Sequence, residues 1–354
     1  MTYALPHEEG LAPLLEALEQ FLGRFLPPAG AAAMRGAPAR SGGPEAEPVP
    51  FELWRRALID PAREFLRRPG KEFRGKLTRL TWRGCGGSGE IPRELPWLVE
   101  ILHAGSLIVD DVQDDSSHRR GHAALHRIVG APLAINTGNW MYFWALSLID
   151  ELPLPATARA ELTREAVTTL MRCHQGQSLD LSVDVSHLEP RHIPQTVATT
   201  TYNKTGVLMG LAARAGAVAA GADPARSAAV AQFGEELGVG LQMLDDLGSI
   251  AARARRDKGL EDLRGGRPTW PWAWLCSAVD ELAVARLQQR LRAATCDEEL
   301  ELVMTALRDS SLAVGRAAVR DQLARALSDV APHLEPEVHR GLVAEIERLE
   351  ASYG

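Results

Sequence analysis

The chain has 354 residues and a formal net charge of −7, from 39 basic and 46 acidic residues. This length suits one large or two ordinary domains, and a hydrophobic content of 45% is typical of a globular protein. The acidic balance provides no basic surface for nucleic acid, and no uncharged apolar run in the sequence is long enough to span a membrane. Because the amino terminus also lacks the pattern of a signal peptide, we expect a cytoplasmic protein.

A short amino-terminal region precedes a long helical one. Residues 11–26 repeat apolar side chains at helical spacing, and residues 27–50 are rich in Ala, Gly and Pro, which predicts a helix and a flexible linker over residues 1–50. Over residues 51–354 the helical period dominates, and no alternating stretch is long enough for a sheet. We therefore predict an all-α domain, a single large bundle of ten or more helices around a central cavity.

One predicted helix, over residues 97–115, is apolar for most of its length and ends in a run of aspartates. Asp110, Asp111 and Asp114 are spaced three and four residues apart, so their carboxylates lie on one helical turn. Like charges so close repel each other, so a cation would stabilise the cluster. Mg²⁺ is a hard cation that binds phosphates and takes one or two carboxylates as protein ligands. A solvated acidic helix end is the alternative interpretation.

A second apolar helix, predicted over residues 227–248, ends in Asp245 and Asp246. Its start is signalled by Asp223 as the amino-terminal cap and by Pro224 at the first helical position. If the two apolar helices lie side by side, their carboxylates would face each other across a cavity. Such a pair of clusters could hold magnesium ions that bridge a diphosphate.

From about residue 66 to 272, the chain resembles the trans-isoprenyl diphosphate synthases. In chain order, the matching elements are Gly70-Lys71-Glu-Phe-Arg74, His103, Asp110-Asp111-Val-Gln-Asp114-Asp115, Arg119-Arg120-Gly121, Gly176-Gln177-Ser-Leu-Asp180, Lys204-Thr205, Gln242, Asp245-Asp246, Lys258-Gly259-Leu-Glu-Asp262-Leu and Pro268-Thr269. Several segments, PGKEFRGKL, NTGNWMYF and HQGQSLDL, are most similar to the geranylgeranyl diphosphate synthases of the eukaryotic type.

The resemblance implies a fold and a reaction. The fold would be the helical bundle of the isoprenoid synthases, as a homodimer. The reaction would be head-to-tail condensation of isopentenyl diphosphate with an allylic diphosphate, which forms geranylgeranyl diphosphate and releases pyrophosphate. Farnesyl or geranyl diphosphate is an alternative product. The implied cofactor is a cluster of about three Mg²⁺ ions, for which Mn²⁺ can substitute.

The family's residue roles carry over by position. The implied metal ligands are Asp110, Asp111, Asp114, Asp245 and Asp246, which form the catalytic set together with Arg119 and Lys204. The implied ligands of the allylic diphosphate are Arg119, Gln177, Lys204, Thr205, Gln242 and Lys258. The implied ligands of isopentenyl diphosphate are Gly70, Lys71, Arg74, His103 and Arg120. Taken singly, most of these residues would be read as core or surface positions, but their common order along the chain favours the roles in binding.

Product length should depend on the floor of the apolar cavity. Gly105 and Ser106 lie five and four residues before Asp110. These small side chains would leave the floor open for a long product. Trp140 and Trp144 on the next helix could close it from the other side, or they could simply belong to the core.

Two rival functions remain open on the sequence alone. One is a diverged enzyme that cyclises a single diphosphate or prenylates a different acceptor, and the other is a non-catalytic subunit of the same fold. Retention of Lys71, Arg74, His103 and Arg120 favours elongation, because a cyclase has no second diphosphate to bind. Five clustered carboxylates argue against a purely structural subunit. Ser249 departs from the family, which often has a carboxylate or asparagine at that position of the second motif, so one metal ligand would be weaker.

Overall fold

The computed structural model describes residues 50–68, 70 and 72–353. The predicted helix over residues 11–26, nearly all of the predicted linker, and Lys71 lie outside the described residues. The chain divides into two compact units. The first unit includes the described residues between 50 and 72 and residues 100–148, and the second includes residues 73–99 and the chain from residue 149 onward. The domain boundary expected at residue 50 stays a prediction.

Helices account for nearly all of the secondary structure in the described residues. The α-helices are α1 Phe51–Trp54, α2 Asp60–Leu66, α3 Phe73–Gly84, α4 Glu94–Gln113, α5 Leu125–Val129, α6 Ala131–Glu151, α7 Ala156–Ser182, α8 Ile193–Thr201, α9 Val207–Ala219, α10 Pro224–Ala251, α11 Arg256–Arg264, α12 Trp270–Ala278, α13 Glu281–Ala293, α14 Asp297–Val330 and α15 Pro336–Tyr353. Two turns are π-helical, Arg55–Ile59 and Tyr202–Gly206, and four are 3₁₀-helical, Val185–His187, Pro190–His192, Arg253–Arg255 and Ala331–His333. The prediction of an all-α fold with ten or more helices is confirmed.

A small antiparallel ribbon is the feature that the helical pattern did not predict. It consists of β1 His118–Arg119 and β2 His122–Ala123, with His118 opposite Ala123 and Arg119 opposite His122. Two residues per strand are too few to show an alternating pattern in a sequence. The ribbon lies directly after the first aspartate cluster, so it determines where the two following arginines are placed.

The two apolar helices begin and end close to their predicted limits. Asp223 caps α10, since its Oδ1 accepts hydrogen bonds from the backbone N–H groups of Ala225 and Arg226 at 2.9 and 3.0 Å. Helix α4 ends at Gln113, so the last two aspartates of the cluster lie just past its end. The backbone N–H of Asp114 still bonds to the carbonyl of Asp110 at 2.9 Å, which continues the helical pattern by one residue.

Close helix packing in the second unit depends on small residues. Helix α9 is buried along almost its whole length and packs against α3 and α10. A Cβ atom added at Gly238 would lie 2.9 Å from the Cα atom of Gly206, so α10 and the last residue of the π turn before α9 are in backbone contact there. Between α3 and α9, the hydroxyl of Thr78 donates to the carbonyl of Ala212 at 2.9 Å. These contacts place the carboxyl-terminal half of α10, which carries the second aspartate pair, on a rigid support.

A separate hydrophobic cluster in the second unit holds α11 and α12 against α14. It includes Leu260 and Leu263 from α11, Trp272 from α12 and Val303 and Leu307 from α14, all buried. Because α11 carries Lys258, this cluster positions a predicted site residue. Among the described helices, none combines the length and the apolar character that crossing a membrane requires.

Candidate active site

The first aspartate cluster is built around a buried carboxylate. Asp111 has 0% exposure, and its Oδ1 accepts a hydrogen bond from Nε of Arg119 at 2.7 Å and contacts Nη2 of the same arginine. Nη2 of Arg119 also lies 3.6 Å from Oδ2 of Asp110. Burial raises the pKa of Asp111, against the opposing effect of Arg119. The other oxygen of Asp111, Oδ2, is buried and finds no hydrogen-bond donor among the described residues.

The turn of the ribbon places Arg119 and Arg120 in different directions. Arg120 and Gly121 form the two-residue loop, with φ angles of 53° and 78°. Positive φ at both positions defines a type I′ turn, which favours glycine at the second. Nη1 of Arg120 donates to the carbonyl of Arg68 at 3.3 Å. A Cβ atom added at Gly70 would lie 2.9 Å from Cζ of Arg120, so the first unit brings together two residues predicted to bind the acceptor.

The remaining residues predicted for the acceptor are less fully described. His103 is half-buried on α4, and its carbonyl accepts a hydrogen bond from the hydroxyl of Ser106 at 2.8 Å. Arg74 is half-buried in the first turn of α3 in the second unit. Its charge acts on the thiol of Cys173, although burial dominates and raises the pKa of Cys173 to about 11. The roles of His103 and Arg74 stay predictions.

The second aspartate pair has two members in different environments. Asp245 is half-buried and forms ion pairs with Arg255 and Lys258, one cation on each carboxylate oxygen. Burial would raise the pKa of Asp245, but the charges of Lys258 and Arg255 outweigh it and lower the pKa. Arg255 received no role in the sequence interpretation, because nothing in its spacing indicates a contact with Asp245.

Asp246 is buried and has both oxygens occupied. Oδ1 accepts from Nε2 of Gln242 at 2.8 Å, and Oδ2 accepts from the backbone N–H of Trp270 at 3.0 Å. Because Trp270 is the first residue of α12, Asp246 satisfies one of the free amides of that helix. Gln242 in turn accepts a hydrogen bond from the hydroxyl of Thr205 at 3.3 Å. Burial raises the pKa of Asp246 to about 6.

Ser249 does not stand in for the carboxylate that the family often has at its position. Its side chain is buried, and its hydroxyl donates to the carbonyl of Asp246 at 2.7 Å. The hydroxyl is therefore bound to the backbone of its own helix. This hydrogen bond gives a physical reason for the expectation that the second cluster is the less complete of the two.

Asp262 lies close to the second aspartate pair, and the sequence interpretation gave it no role of its own. It lies one helical turn after Lys258 on α11, and burial raises its pKa to about 7, against the opposing charge of Lys258. The nearby charges of Asp246 and Asp245 raise the pKa further. The available signal was the spacing of four residues between Lys258 and Asp262, which places both on one helix face.

We expect Asp262→Asn to stabilise the metal-free protein, and to do so more at pH 8 than at pH 5. The folded pKa of about 7 exceeds the usual value of 3.8, so the folded state holds the proton more tightly. Stability from this group is therefore present at low pH and lost as the pH rises towards 7. The gain in unfolding free energy should be at least about 1 kcal/mol larger at pH 8.

Denaturant unfolding at both pH values, with a chelator present, measures this difference. The control is Asp257→Asn on the same helix, where the side chain is 99% exposed. A gain for Asp262→Asn that is equal at the two pH values, or confined to pH 5, would contradict the prediction.

Lys204 lies on the π-helical turn Tyr202–Gly206. Its Nζ is 2.7 Å from Oδ2 of Asp180, and Nη1 of Arg267 donates to the backbone carbonyl of Asp180. A Cβ atom added at Gly176 would lie 2.6 Å from the backbone nitrogen of Lys204, so only glycine allows the π turn to lie this close to α7. Gln177 follows on α7 and is half-buried. These contacts connect the predicted lysine to the Gly176–Asp180 segment.

The residues predicted to form the cavity floor have packing roles that the sequence did not reveal. A Cβ atom at Gly105 would lie 2.8 Å from the carbonyl oxygen of Gly138, so α4 and α6 cross in backbone contact at these two glycines. The small size of Gly105 is therefore required by helix packing. Trp140 and Trp144 stack with ring centroids 5.5 Å apart, and Trp144 is buried. The effect of all these positions on product length stays a prediction.

No group of three His, Cys, Asp or Glu side chains in the described part of the chain is arranged to hold a metal ion unaided. This agrees with the chemistry of Mg²⁺, which takes one or two carboxylates and completes its shell with water and phosphate oxygens. The buried, unsatisfied Oδ2 of Asp111 is an oxygen that a cation would satisfy. The residues of the first cluster therefore fit a metal bound together with a phosphorylated ligand.

The fold is shared with solved proteins of the prenyl-transferring class. The polyprenyl synthase of Caulobacter crescentus, solved in complex with calcium and isoprenyl diphosphate, superimposes with a TM-score of 0.72 at 22% identity, covering 98% of this chain and 99% of that chain. At this level of identity the similarity demonstrates a common fold and nothing further.

Sequence comparison identifies the family. The polyprenyl synthetase model matches residues 55–307. The geranylgeranyl pyrophosphate synthase of Eremothecium gossypii is 34% identical over 219 residues, which cover 60% of this chain and 68% of the relative. That of Apiospora sacchari is 33% identical over 256 residues, covering 70% and 73%. The chain belongs to the polyprenyl synthetase family and is a prenyltransferase, and the fungal relatives confirm the resemblance to eukaryotic-type synthases. The family is generally metal-dependent and uses isopentenyl and allylic diphosphates.

Proposed function

We propose that this protein condenses isopentenyl diphosphate with an allylic diphosphate, head to tail, to form geranylgeranyl diphosphate and pyrophosphate. The observation that carries the proposal is the buried carboxylate of Asp111, which has one oxygen on Arg119 and the other without a described donor. A protein that only needed stability would not keep such an arrangement, because a buried unsatisfied oxygen costs about 1–3 kcal/mol. The names of the two fungal relatives support geranylgeranyl diphosphate as the product.

The proposed cofactor is Mg²⁺, with Mn²⁺ as a substitute. Its ligands would be Asp110, Asp111 and Asp114 in the first unit and Asp245 and Asp246 in the second. When bound, the metal stabilises the negative charge that develops on the departing pyrophosphate. Asp246 would have to exchange at least one of its present donors, Gln242 or the amide of Trp270, to bind an ion.

Cationic side chains of the protein would also stabilise the negative charge on the departing diphosphate. Arg119, Lys204 and Lys258 are proposed to neutralise the leaving diphosphate, and each is held by an aspartate: Asp111, Asp180 and Asp245, respectively. Such pairing orients a cation before substrate binds, and preorganised charge is the main source of electrostatic catalysis. Gln177, Thr205 and Gln242 are proposed to add hydrogen bonds to the same diphosphate.

The acceptor diphosphate must be bound without being ionised. Gly70, Lys71, Arg74, His103 and Arg120 are proposed to bind it through charge-assisted hydrogen bonds. Arginine is well suited to this task, since its planar fork donates two parallel hydrogen bonds to phosphate oxygens. The proton lost on condensation is assigned to no side chain.

The proposed function is tested with purified full-length protein, Mg²⁺ and isopentenyl diphosphate. Dimethylallyl, geranyl and farnesyl diphosphates are supplied one at a time, and the product chain length is determined by chromatography. We expect elongation to geranylgeranyl diphosphate. Release of a hydrocarbon or an alcohol from one allylic diphosphate, with no elongation of any, would favour a cyclase and overturn the proposal.

We expect Ser106→Phe to shorten the product to farnesyl or geranyl diphosphate. Ser106 is half-buried on α4, one helical turn before Asp110, so an aromatic ring there would occupy the proposed floor. The measurement is the product distribution with geranyl diphosphate as primer. Ser147→Phe is the control, because Ser147 is also half-buried and also bonds the carbonyl three residues earlier, that of Trp144, at 2.7 Å. An unchanged product from Ser106→Phe, or equal shortening by both variants, would place the floor elsewhere.

We also propose that the protein is a homodimer. Phe143 on α6 in the first unit is 70% exposed, and Met171 on α7 in the second unit is 63% exposed. The proposal follows the family resemblance, and a partner subunit that covered either side chain would remove apolar surface from water. A solution mass near twice 38.4 kDa would support the dimer, and the mass of a single chain would contradict it.

A further inference from the structure

Arg68 is a buried arginine that the proposed reaction has not used. Its exposure is 2%, and Nε and Nη1 are buried with no hydrogen-bond partner among the residues that the structure describes. Nη2 lies 3.4 Å from a carboxylate oxygen of Glu64, whose side chain is exposed. A buried guanidinium with two unsatisfied donors is unfavourable unless an anion compensates it.

A second cation lies beside Arg68. The guanidinium carbons of Arg68 and Arg120 lie 5.4 and 5.6 Å from the centroid of the same ring, that of the fully buried Phe65. Nη1 of Arg120 also donates to the carbonyl of Arg68. The two positive charges therefore lie beside the same buried aromatic ring in the first unit. Burial, together with the like charges of Arg119 and Arg68, lowers the pKa of Arg120, and the opposing charges of Glu100 and Glu72 do not cancel this effect.

Gly70 lies directly against the guanidinium of Arg120. Any side chain there would contact the guanidinium of Arg120, since an added Cβ would lie 2.9 Å from Cζ and 3.0 Å from Nη2. Only glycine therefore allows the backbone at residue 70 to lie this close to the guanidinium of Arg120. Arg68 stands two residues before Gly70, outside the glycine–lysine motif through which the chain resembles its family, so the resemblance assigns Arg68 no role.

We propose that Arg68 is an additional cation of the acceptor site, and that it binds the diphosphate of isopentenyl diphosphate together with Arg120. This inference rests on the proposed function. A diphosphate carries several negative charges, and a buried cation is screened less than an exposed one, so Arg68 attracts the diphosphate strongly. The same burial makes Arg68 unfavourable when the ligand is absent.

These two properties predict a change in thermal midpoint that differs from the change expected for a structural role. If Arg68 exists to bind the diphosphate, Arg68→Met should weaken binding while the ligand-free protein keeps or raises its thermal midpoint, because an apolar side chain replaces a buried charge that has two unsatisfied donors and one contact to an exposed carboxylate. If Arg68 is structural, the same substitution should lower the thermal midpoint and weaken the binding of both substrates.

The test measures binding of isopentenyl diphosphate and of inorganic pyrophosphate by calorimetry, and then steady-state kinetics with farnesyl diphosphate. For Arg68→Met we expect the dissociation constant for isopentenyl diphosphate to rise about 10- to 100-fold, with KM for farnesyl diphosphate nearly unchanged. Arg68→Lys should recover part of the affinity because it restores the charge. The matched control is Arg67→Met, since Arg67 is the exposed neighbour at the end of α2.

Several outcomes would overturn the role of Arg68. One is an unchanged affinity for isopentenyl diphosphate in Arg68→Met, and another is a parallel loss for both substrates with a lower thermal midpoint. A loss of affinity for pyrophosphate alone would assign Arg68 to the leaving group rather than the acceptor and would equally overturn it. A wild-type protein that neither binds isopentenyl diphosphate nor elongates any primer would instead refute the proposed function itself.

Discussion

Asp111→Asn should lower kcat by about 10³-fold and leave the fold intact. The Asp111 side chain has 0% exposure, and its Oδ2 has no hydrogen-bond donor among the described residues, so it is the carboxylate oxygen best suited to a cation. The amide has the same shape but lacks the charge that holds Arg119 and that would hold the proposed metal. Steady-state kinetics over a titration of Mg²⁺, with circular dichroism and thermal unfolding as checks on the fold, measure the effect.

The matched control for this experiment is Asp115→Asn. Asp115 belongs to the same run of aspartates, but its side chain is 81% exposed and is paired with Arg127 at 2.6 Å. We expect its substitution to change kcat by less than about threefold, as for an exposed ion pair. A near-normal rate for Asp111→Asn would show that the metal assignment is wrong, and equal losses for the two variants would show that bulk negative charge is what matters.

Gly216→Ala should destabilise the second unit by about 3 kcal/mol. An added Cβ would overlap the hydroxyl of Thr81 and the carbonyl of Thr78, and would lie 2.7 Å from the backbone nitrogen of Trp82. Two of these three atoms are backbone, so the clash can be relieved only if α3 and α9 move apart. The midpoint of denaturant unfolding measures the effect.

Gly341→Ala in α15 provides the control for that substitution. No described heavy atom lies within 4 Å of the Cβ position there, so alanine should stabilise the helix by up to about 1 kcal/mol through its higher helix propensity. If the two alanine variants had the same midpoint, the close approach of α3 and α9 at Gly216 would be refuted.

The sequence predicts those parts of the fold that depend on short-range signals. The start of α10 was predictable, because Asp223 and Pro224 act within one helical turn of each other. The ribbon at His118–Arg119 and His122–Ala123 was not, because a type I′ turn with arginine at its first position lacks the usual Asn-Gly signal. The helix crossing at Gly105 and Gly138 was also not predictable. In a sequence, a glycine that allows two helices to pack closely cannot be distinguished from a glycine that leaves a cavity open.

The identity of the candidate site residues came from the order of motifs along the chain, while their contacts needed the structure. Arg119 was expected to serve the substrate, and in the described structure it bonds Asp111. Arg255 lies ten residues from Asp245, across the end of α10, and no periodic pattern joins them. Asp262 lies inside a matched motif, but nothing in the sequence is a reason to assign it a role. Only its burial distinguishes it from a solvated aspartate, and burial is visible only in the structure.

The π-helical turn at Tyr202–Gly206 makes the length of this segment as important as its chemistry. A π turn closes bonds between residues five apart and so holds one residue more than the α-helical turn it replaces. Deleting one residue from this turn would allow a regular α-helix and would leave the two flanking helices nearly in their present phase, because the π turn absorbs the extra residue. The side chains of the turn itself, including Lys204, would shift around the helix axis relative to Asp180, although no charged side chain had been altered. The ion pair of Lys204 with Asp180 therefore depends on the number of residues in this turn as well as on the lysine itself.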